Sequence, residues 1–593
     1  MKKTFRFFAA LAVLCLPSAL VAQHFETGGR AYNVLSEADH TVELTMRWSG
    51  SPYGGNFTVP STVTYGGVTY DVVALGELAF YRANLSSVSI PTSITRIKTQ
   101  CFLLATGPTA IYIPASVTEI DEMALSALNL TYIIVSEDNS NYCTVDGLLF
   151  SKDTTTLVQY PAGKSGSVVL PPSTQHIGRF SFAYSHSLSS VTIHEGVSSI
   201  GYGAFMFAST LSNITIPSTV SFVGSNLFEG CTALNTLSIA SGNSHYYMDG
   251  MMIYSSGGDT LVSCHKSVDS IFLPASLRVV GGFGGNNNIR YVHVPDGVTV
   301  INENAFENSS LMYIDLPNSV SFIDEYAFVD CESLIRVGMP ASLDTMGHGC
   351  FEYCTNLTYI EIPDGLHTIP NSAFFGSTAL SHITWGNNVA VIDSFAFGGC
   401  SFEELYLPAT LRSVRAGAFN GYYDGTLRRV AFSAPVDTIE PEAFTGHHLE
   451  SLRLMNSEPP VSLTTLEYGA DYGCLVDATV DSIIIPCCSI DAFLADTYWG
   501  LFEGIYYENC NGIDIASGGD IIVYPNPATE RVIIHGIQDG SCIELVNFLG
   551  QSIIRQAIFS NRVELDVSCL ERGAYYLRIH TADGITTSKV VLL

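Results

Sequence analysis

The side chains that could do chemistry in this chain are cysteines and histidines in small groups. Cys487 and Cys488 are adjacent, and Cys474 and Cys510 lie near them in the sequence. Such a group predicts disulfides in an oxidising compartment, with buried free thiols or metal ligation as the alternatives. The pair His447-His448 is isolated and predicts an exposed loop, with metal ligation again as the alternative.

No enzyme motif accompanies these residues. The sequence has no G-x-S-x-G, H-E-x-x-H, P-loop or EF-hand pattern. These are spacings that place a nucleophile, a zinc ion, a phosphate or a calcium ion. We therefore expect a non-enzymatic protein without a cofactor or a bound metal.

The composition predicts a folded and strongly acidic protein. Of 593 residues, 47% are hydrophobic and 14% are charged, and the formal net charge is -30. Disordered chains carry fewer apolar residues. A chain this acidic repels a phosphate backbone, so we expect no nucleic-acid partner. We interpret the net negative charge as a means of keeping the large exposed surface of the chain in solution.

Residues 1–22 predict a secretory signal peptide. Basic residues precede the apolar stretch Phe7–Leu16, which is too short to cross a bilayer, and Ala22 is a plausible cleavage point. No other apolar run reaches the length of a membrane-spanning helix. We expect an exported chain with no transmembrane segment after signal removal.

A self-similar unit of about 23 residues recurs through the middle of the chain. One copy runs from Leu311 through Ile314, Leu316 and Pro317 to Phe328. The alternating apolar residues predict a strand with one buried face, Pro ends that strand, and Phe is an apolar plug for the far wall of the coil. Roughly sixteen units fit between about residues 55 and 455. The marker phenylalanines are Phe182, Phe205, Phe228, Phe306, Phe328, Phe351, Phe374, Phe397, Phe419 and Phe444.

Such a unit cannot bury its apolar face alone, so successive coils must stack. The predicted fold is mainly β: a solenoid with a period of about 23 residues, followed by a small C-terminal β-sandwich. Cys331 and Cys354 hold the same position one coil apart. Stacked strands would place them about 4.8 Å apart, within reach of a disulfide, but with both side chains pointing the same way. We interpret them as buried free thiols.

Two related insertions interrupt the period, at residues 139–161 and 243–265. Each begins with Asn-Ser-x-Tyr and carries Asp-Gly between apolar stretches. Asp-Gly favours a two-residue turn, so each insertion predicts a hairpin projecting from one coil.

The units closely resemble the BspA-like leucine-rich repeats, in which an Ile-Pro strand end is followed by an Ala-Phe pair, a Cys and a Leu. The resemblance covers about residues 30–510. It implies an N-terminal unit at residues 23–83, repeats at 84–455 and a closing cap at 456–512. It also implies a surface protein that binds host proteins, matrix proteins or partner cells.

The pattern departs from the family in two places. The marker Phe is missing at Met123–Leu125, and the unit around Gly281–Asn288 is shortened and rich in Gly and Asn. We expect a local bend at the second place.

A polar linker at residues 513–519 precedes a different pattern at 520–593. Its short strands at regular spacing predict the small β-sandwich. This segment resembles the type A sorting domain of the type IX secretion system. The residues that carry the sorting motif are Tyr524, Pro525, Asn526, Pro527, Gly550 and Gly573. The resemblance implies engagement of the type IX secretion machinery, removal of this domain, and attachment at the outer membrane or release.

The outward positions of the predicted strands change along the array. Before Gly281–Asn288 they are Ser, Thr and Asn, and after it they are aromatic and charged. The residues concerned are Tyr291, His293, Tyr313, Asp315, Arg336, Tyr359, Glu361, His382 and Tyr406. Tyr and Arg are enriched at interfaces, so this column is the candidate ligand-binding face, although Tyr also suits any solvated strand.

We therefore expect a secreted or surface scaffold that binds an extracellular protein or glycan. The alternative is a structural surface-layer component without a specific ligand.

Overall fold

The computed structural model describes residues 24–47, 51–265, 268–421, 425–462, 475, 478–486, 489–502, 506–509, 522–524, 531–535, 542–547, 551–557, 562–568, 570, 572–581 and 584–592. The predicted signal peptide and linker lie outside these residues. So do Cys474, Cys487, Cys488, Cys510, Pro525, Asn526, Pro527 and Gly550. The chain forms two compact units, residues 1–366 with 370–384, and residues 367–369 with 385–593.

In the first unit, each regular coil contributes one long strand. In Tyr313–Asp315, for example, the central Ile314 is buried between outward neighbours, and the long strands pair in parallel in sheets of two to four strands. The long strands are Gly54–Thr58, Asn84–Ser89, Ala110–Ile113, Tyr132–Val135, Gly166–Val169, Leu188–Thr192, Asn213–Ile216, Thr236–Ile239, Ser270–Phe272, Tyr291–His293, Tyr313–Asp315, Arg336–Gly338, Tyr359–Glu361 and His382–Thr384.

Each coil also contributes a short strand of two residues to a second set of parallel sheets. These strands are Arg96–Ile97, Glu119–Ile120, His176–Ile177, Ser199–Ile200, Phe222–Val223, Val279–Val280, Val300–Ile301, Phe322–Ile323 and Thr345–Met346. The first of these sheets is extended at the N-terminal end by His24–Thr27, Arg30–Ser36, Thr41–Thr45, Thr62–Tyr65 and Val68–Leu75. The turns that connect long and short strands also form backbone hydrogen bonds with the turns of the next coil. For example, Phe328 N donates to Cys350 O at 2.8 Å.

The predicted Phe plugs form a stacked column inside the coils. Phe306, Phe328, Phe351 and Phe374 are fully buried, and their successive ring centroids are 5.0, 4.9 and 5.4 Å apart with planes within 5° of parallel. Each ring therefore buries its faces against its neighbours and holds the spacing between coils. The prediction of a repeating apolar plug is confirmed.

Three rings outside the list of marker phenylalanines stack in the same way. Phe102 stacks on Phe80 at 4.7 Å, and Phe283 stacks on Phe306 at 5.0 Å. At Met123–Leu125, where the Phe is missing, Leu125 is fully buried in the same core.

The two predicted hairpins form, but they do not project from the coils. The first comprises Tyr142–Val145 and Leu148–Ser151, followed by Thr156–Gln159, and the second comprises Tyr246–Asp249 and Met252–Ser255, followed by Thr260–Cys264. The third strand of each insertion pairs in parallel with a short strand of the next coil. The hairpins lie against the coils because their apolar residues, such as Phe150 and Ile253, are fully buried in the core.

The second unit repeats the arrangement. Its long strands are Glu404–Leu407, Arg429–Phe432, Ser451–Arg453, Ile483–Pro486 and Tyr506–Asn509, all paired in parallel. Its short strands are Thr368–Ile369, Val391–Ile392, Ser413–Val414 and Thr438–Ile439, and a further pair joins His448–Leu449 with Thr479–Val480.

Two short helical segments, Ile490–Ala495 and the 3₁₀ helix Trp499–Phe502, follow these strands. Trp499 is fully buried and donates its indole N–H to Pro460 O at 2.9 Å. Neither segment, nor any other helix among the residues placed here, is long and apolar enough to cross a membrane.

The C-terminal strands form two antiparallel sheets. One contains Ile522–Tyr524, Arg531–His535 and Arg562–Asp566, and the other contains Cys542–Val546, Ser552–Ala557, Gly573–Thr581 and Gly584–Leu592. Val532, Ile543, Leu577 and Val590 are buried in one apolar core. This is the small sandwich that the sequence predicts, and the solenoid with its C-terminal sandwich is confirmed.

Candidate binding face

Strand geometry places the candidate side chains outward on the long strands. In Tyr313–Asp315 the central Ile314 is buried, while Tyr313 is 44% exposed. The strand Tyr359–Glu361 repeats this pattern, with Tyr359 45% exposed. Because side chains alternate along a strand, burial of the aliphatic residue fixes both neighbours on the solvent side.

Parallel pairing brings five candidate residues together in one sheet. Tyr291 pairs with Tyr313, and Tyr313 pairs with Arg336. On the second outward row, His293 pairs with Asp315. Paired strands lie about 4.8 Å apart, so these side chains are direct neighbours.

The remaining candidate residues lie elsewhere in the two units. Tyr359 pairs with His382 on a two-stranded sheet that also carries Glu361. Tyr406 belongs to the second unit, where it is 65% exposed on Glu404–Leu407. Its hydroxyl donates to Glu404 at 3.0 Å, and this bond to a carboxylate raises the pKa of the Tyr406 phenol.

Sequence reasoning missed Phe272, which is 74% exposed at the outward end of Ser270–Phe272. Its ring stacks on that of His293 with centroids 3.6 Å apart, and Tyr291 meets the same imidazole edge-on at 4.2 Å. The signal was the strand pattern Ser270-Ile-Phe272 just before the glycine-rich unit. We define the aromatic face as Phe272, Tyr291, His293, Tyr313 and Tyr359.

Two charged side chains beside the aromatic face, Arg336 and Asp315, form a weak ion pair. Arg336 Nη2 lies 3.6 Å from Asp315 Oδ1, and both side chains are more than half exposed. Exposed pairs of this kind contribute about 0–1 kcal/mol. Both charges can therefore exchange this contact for one with a partner at little cost.

The earlier long strands differ from the aromatic face, though less uniformly than the sequence predicts. Thr192 and Asn213 are exposed polar residues, as expected, and Ser190 is partly buried. In contrast, Tyr112 and Tyr132 on Ala110–Ile113 and Tyr132–Val135 are exposed, together with Ile134. This second apolar patch was not predicted.

The predicted exposed loop at His447-His448 is wrong for His447. Its Nε2 lies 2.7 Å from Phe419 O, and burial lowers the pKa of the imidazole. Gly421 and Gly425 make room for the ring, since a Cβ on Gly425 would lie 2.0 Å from His447 Nδ1. His448 is exposed on its strand.

Cys331 and Cys354 are buried free thiols, as predicted. Cys331 Sγ donates to Phe306 O at 3.0 Å, and Cys354 Sγ donates to Phe328 O at 3.2 Å. Burial raises the pKa of the Cys331 thiol to about 12, so it stays protonated and unreactive. Within the described ranges, no group of three or more His, Cys, Asp or Glu side chains could hold a metal ion.

Comparison with known families identifies the repeats. The model of the BspA type leucine rich repeat region matches residues 67–153, 162–257, 258–378 and 344–474, in six copies. These ranges cover more than half of the chain, and the chain belongs to this family. The secretion system C-terminal sorting domain matches residues 522–593. The protein is therefore an exported leucine-rich-repeat scaffold of the cell surface or the extracellular space, with a type IX sorting domain.

Several solved structures are similar to this chain. A leucine rich cell surface protein from Faecalibacterium prausnitzii is 20% identical over 69% of this chain and 95% of its own, with a TM-score of 0.34. A leucine-rich repeat protein from Bacteroides ovatus is 20% identical over 74% and 100%, with a TM-score of 0.34. The pneumococcal vaccine antigen PcpA is 18% identical over 70% and 97%, also with a TM-score of 0.34. No curated protein matches the chain.

Proposed function

We propose that this protein is a binding or adhesion scaffold whose ligand is an extracellular protein or glycan. The observation that carries the proposal is the aromatic face, where four aromatic rings of Ser270–Phe272, Tyr291–His293 and Tyr313–Asp315 stand in register on one sheet. A soluble surface has no structural need for a Phe that is 74% exposed beside two Tyr residues.

The physical chemistry of these residues supports binding. Aromatic side chains bury much area on contact and lose little conformational entropy, so they anchor interfaces. Here they rise from a parallel sheet whose backbone is held coil by coil, and this rigidity lowers the entropic cost of association. Asp315, Arg336 and Glu361 lie among them and supply polar contacts that give specificity.

We propose distinct roles for the other segments. Residues 1–22 direct export and are removed, residues 23–83 begin the array, the repeats run over 84–455, and residues 456–512 cover its last coil. Residues 520–593 engage the type IX secretion machinery after the linker at 513–519. The support for this assignment is the sorting-domain match at residues 522–593. We propose no catalytic role for the scaffold.

The proposal is tested by applying purified mature protein to arrays of glycans and matrix proteins. We expect one ligand class to bind saturably, with loss of binding when the aromatic face is altered. Binding that maps to the insertions at residues 139–161 and 243–265 would move the site to the hairpins. The absence of saturable binding to any array would favour a structural surface-layer component instead.

A further inference from the structure

The shortened unit around Gly281–Asn288 has a structural reason for its glycines. A Cβ on Gly284 would lie 2.1 Å from Asn226 Oδ1, and a Cβ on Gly285 would lie 1.8 Å from Glu229 Cγ. The side chains of Asn226 and Glu229 therefore pass over this glycine-rich turn, which any larger residue would prevent.

Beyond the glycines, these two side chains reach a coil about eighty residues later in the sequence. Asn226 Nδ2 donates to Glu307 Oε2, and Asn308 Nδ2 donates back to Glu229 Oε1 at 2.9 Å. The Tyr202 hydroxyl also donates a hydrogen bond to Glu307 Oε2, at 2.5 Å. We call Asn226, Glu229, Glu307 and Asn308 the carboxylate bracket.

The bracket spans the place where the second insertion interrupts the stacking. A cavity of about 480 Å³ lies beside it, lined by Asn226, Glu229, His265 and the glycines of the shortened turn, among others. The bracket therefore joins the coils on the two sides of this gap through side chains alone.

The two carboxyls of the bracket are buried. Asn226, Glu229 and Glu307 are only 3%, 6% and 5% exposed, and among the described residues Glu229 Oε2 and Asn226 Oδ1 have no hydrogen-bond partner. The titratable groups coupled to the carboxyls of the bracket are acids, phenols and thiols, namely Tyr184, Tyr202, Cys231, Glu303, Asp330 and Cys331. The imidazole of His265 lines the adjoining cavity, and burial lowers its pKa. The guanidinium of Arg179 lies over the Tyr202 ring, with its Cζ 5.0 Å from the ring centroid.

Burial makes ionisation of this pair costly. Desolvation raises the pKa of Glu307 to about 7, and desolvation together with the charge of Glu307 raises the pKa of Glu229 well above its usual range. An acid whose pKa is higher in the folded state binds its proton more tightly there than in the unfolded chain. Its contribution to stability is present below the ordinary pKa near 4.5 and is lost as the pH rises through about 7.

We propose that the carboxylate bracket is a pH-sensitive latch that holds the two sides of the second insertion together. In mild acid the carboxyls are neutral, and the reciprocal amide contacts close the junction. As both ionise, like charges face each other in a site of low dielectric, and the junction loosens around the adjoining cavity.

The experiment is hydrogen exchange of the mature protein, corrected for intrinsic rates, followed by mass spectrometry. Between about pH 6 and about pH 9 we expect protection of residues 226–230 and 282–288 to fall by about tenfold or more, since one proton linked to opening gives about tenfold per pH unit. Glu229→Gln with Glu307→Gln keeps the side-chain shape and removes the titration of the bracket itself, so its protection should change much less with pH than that of the wild type. Glu332→Gln, at an exposed position, should behave like the wild type.

Two results would overturn the latch. One is protection in the wild type that does not vary with pH, or that varies equally in the double variant. The other is restoration of protection by calcium at about pH 9, which would assign the carboxyls to a cation. If circular dichroism shows the double variant unfolded, Glu307→Gln alone carries the same test, with a reduced pH dependence expected.

Discussion

The phenol oxygen of Tyr142 accepts a hydrogen bond from the backbone amide of Ile120 at 3.0 Å, in the last short strand before the first insertion. The second insertion repeats this contact, because Tyr246 accepts from the amide of Val223, also at 3.0 Å. In both places the phenol takes the position of the carbonyl that the next coil would supply. The insertions therefore end one short-strand sheet without leaving its edge amide unpaired.

The Asn of each insertion completes this closure. Asn139 Nδ2 donates to Pro114 O and Val117 O, both at 2.9 Å, and Asn243 does the same to Pro217 O and Val220 O at 2.9 and 3.0 Å. The shared Asn-Ser-x-Tyr sequence is thus a structural closure of the preceding coil.

Tyr142→Phe should destabilise the chain by about 1–2 kcal/mol, because the Ile120 amide loses its acceptor. The loss should be local, since repeat proteins are stabilised by nearest-neighbour contacts. Limited proteolysis and thermal unfolding would measure it. Tyr112→Phe, which removes a hydroxyl from an exposed side chain, is the matched control and should have little effect. Equal stability of the two variants would contradict the closing role of Tyr142.

Phe351→Ala should cost about 3–5 kcal/mol, from lost burial and from the cavity left behind. The ring is fully buried between Phe328 and Phe374, so damage should spread to both neighbouring coils. Denaturant unfolding compares it with Phe272→Ala, which removes an exposed ring. If the two variants have the same free energy of unfolding, the buried Phe column does not stabilise the stacking of the coils.

Cys354→Ser should change stability by less than about 1 kcal/mol, since a hydroxyl can replace the thiol as a donor. The next coil already carries this replacement, because Ser377 Oγ donates to Phe351 O at 2.9 Å, as Cys354 Sγ donates to Phe328 O. Cys354→Ala should be the more damaging change, because it removes one of two donors to Phe328 O, which keeps the Cys331 amide, and leaves a small cavity. Thermal unfolding compares the two variants; a Cys331–Cys354 disulfide found by peptide mass spectrometry without reductant would contradict the free-thiol state.

Tyr313→Ala with Tyr359→Ala should weaken attachment to the ligand without unfolding the chain, because both rings are exposed. Interface anchors typically cost about 1–4 kcal/mol on truncation. Surface plasmon resonance with the ligand found on the arrays would measure this loss.

The control pair is Ser190→Ala with Thr215→Ala, on long strands before the second insertion. It should leave affinity unchanged. Equal losses from both pairs, or a site on the hairpins, would count against the aromatic face.

Deletion of residues 520–593 should trap the protein in the periplasm, because the sorting match at residues 522–593 would be lost. Cell fractionation with surface protease treatment would measure the distribution. In cells that carry the full chain, the mature protein should lack this segment. Normal surface display of the truncated chain would exclude the sorting role.

The sequence predicted the repeating parts of this fold because their signals are local. Alternation in Tyr313-Ile314-Asp315 predicts which side chains face solvent, and Asp-Gly predicts both hairpin turns. The sequence did not predict Phe283 as a buried plug, because Gly282 precedes it in place of the usual Ala and an insertion separates it from Phe228. The functional role of the outward residues stays a prediction.

The sequence by itself determined the period, the buried plug of most coils, the outward rows and the sorting domain, since each depends on residues close together in the chain. Only the tertiary structure decided that Phe272 stacks on His293, that His447 is interior, and that the hairpins lie against the coils. The clearest case is Asn226 and Glu307, which meet across 81 residues. No local pattern encodes such a contact, because it exists only once the intervening insertion has folded and the glycine turn has left room for it.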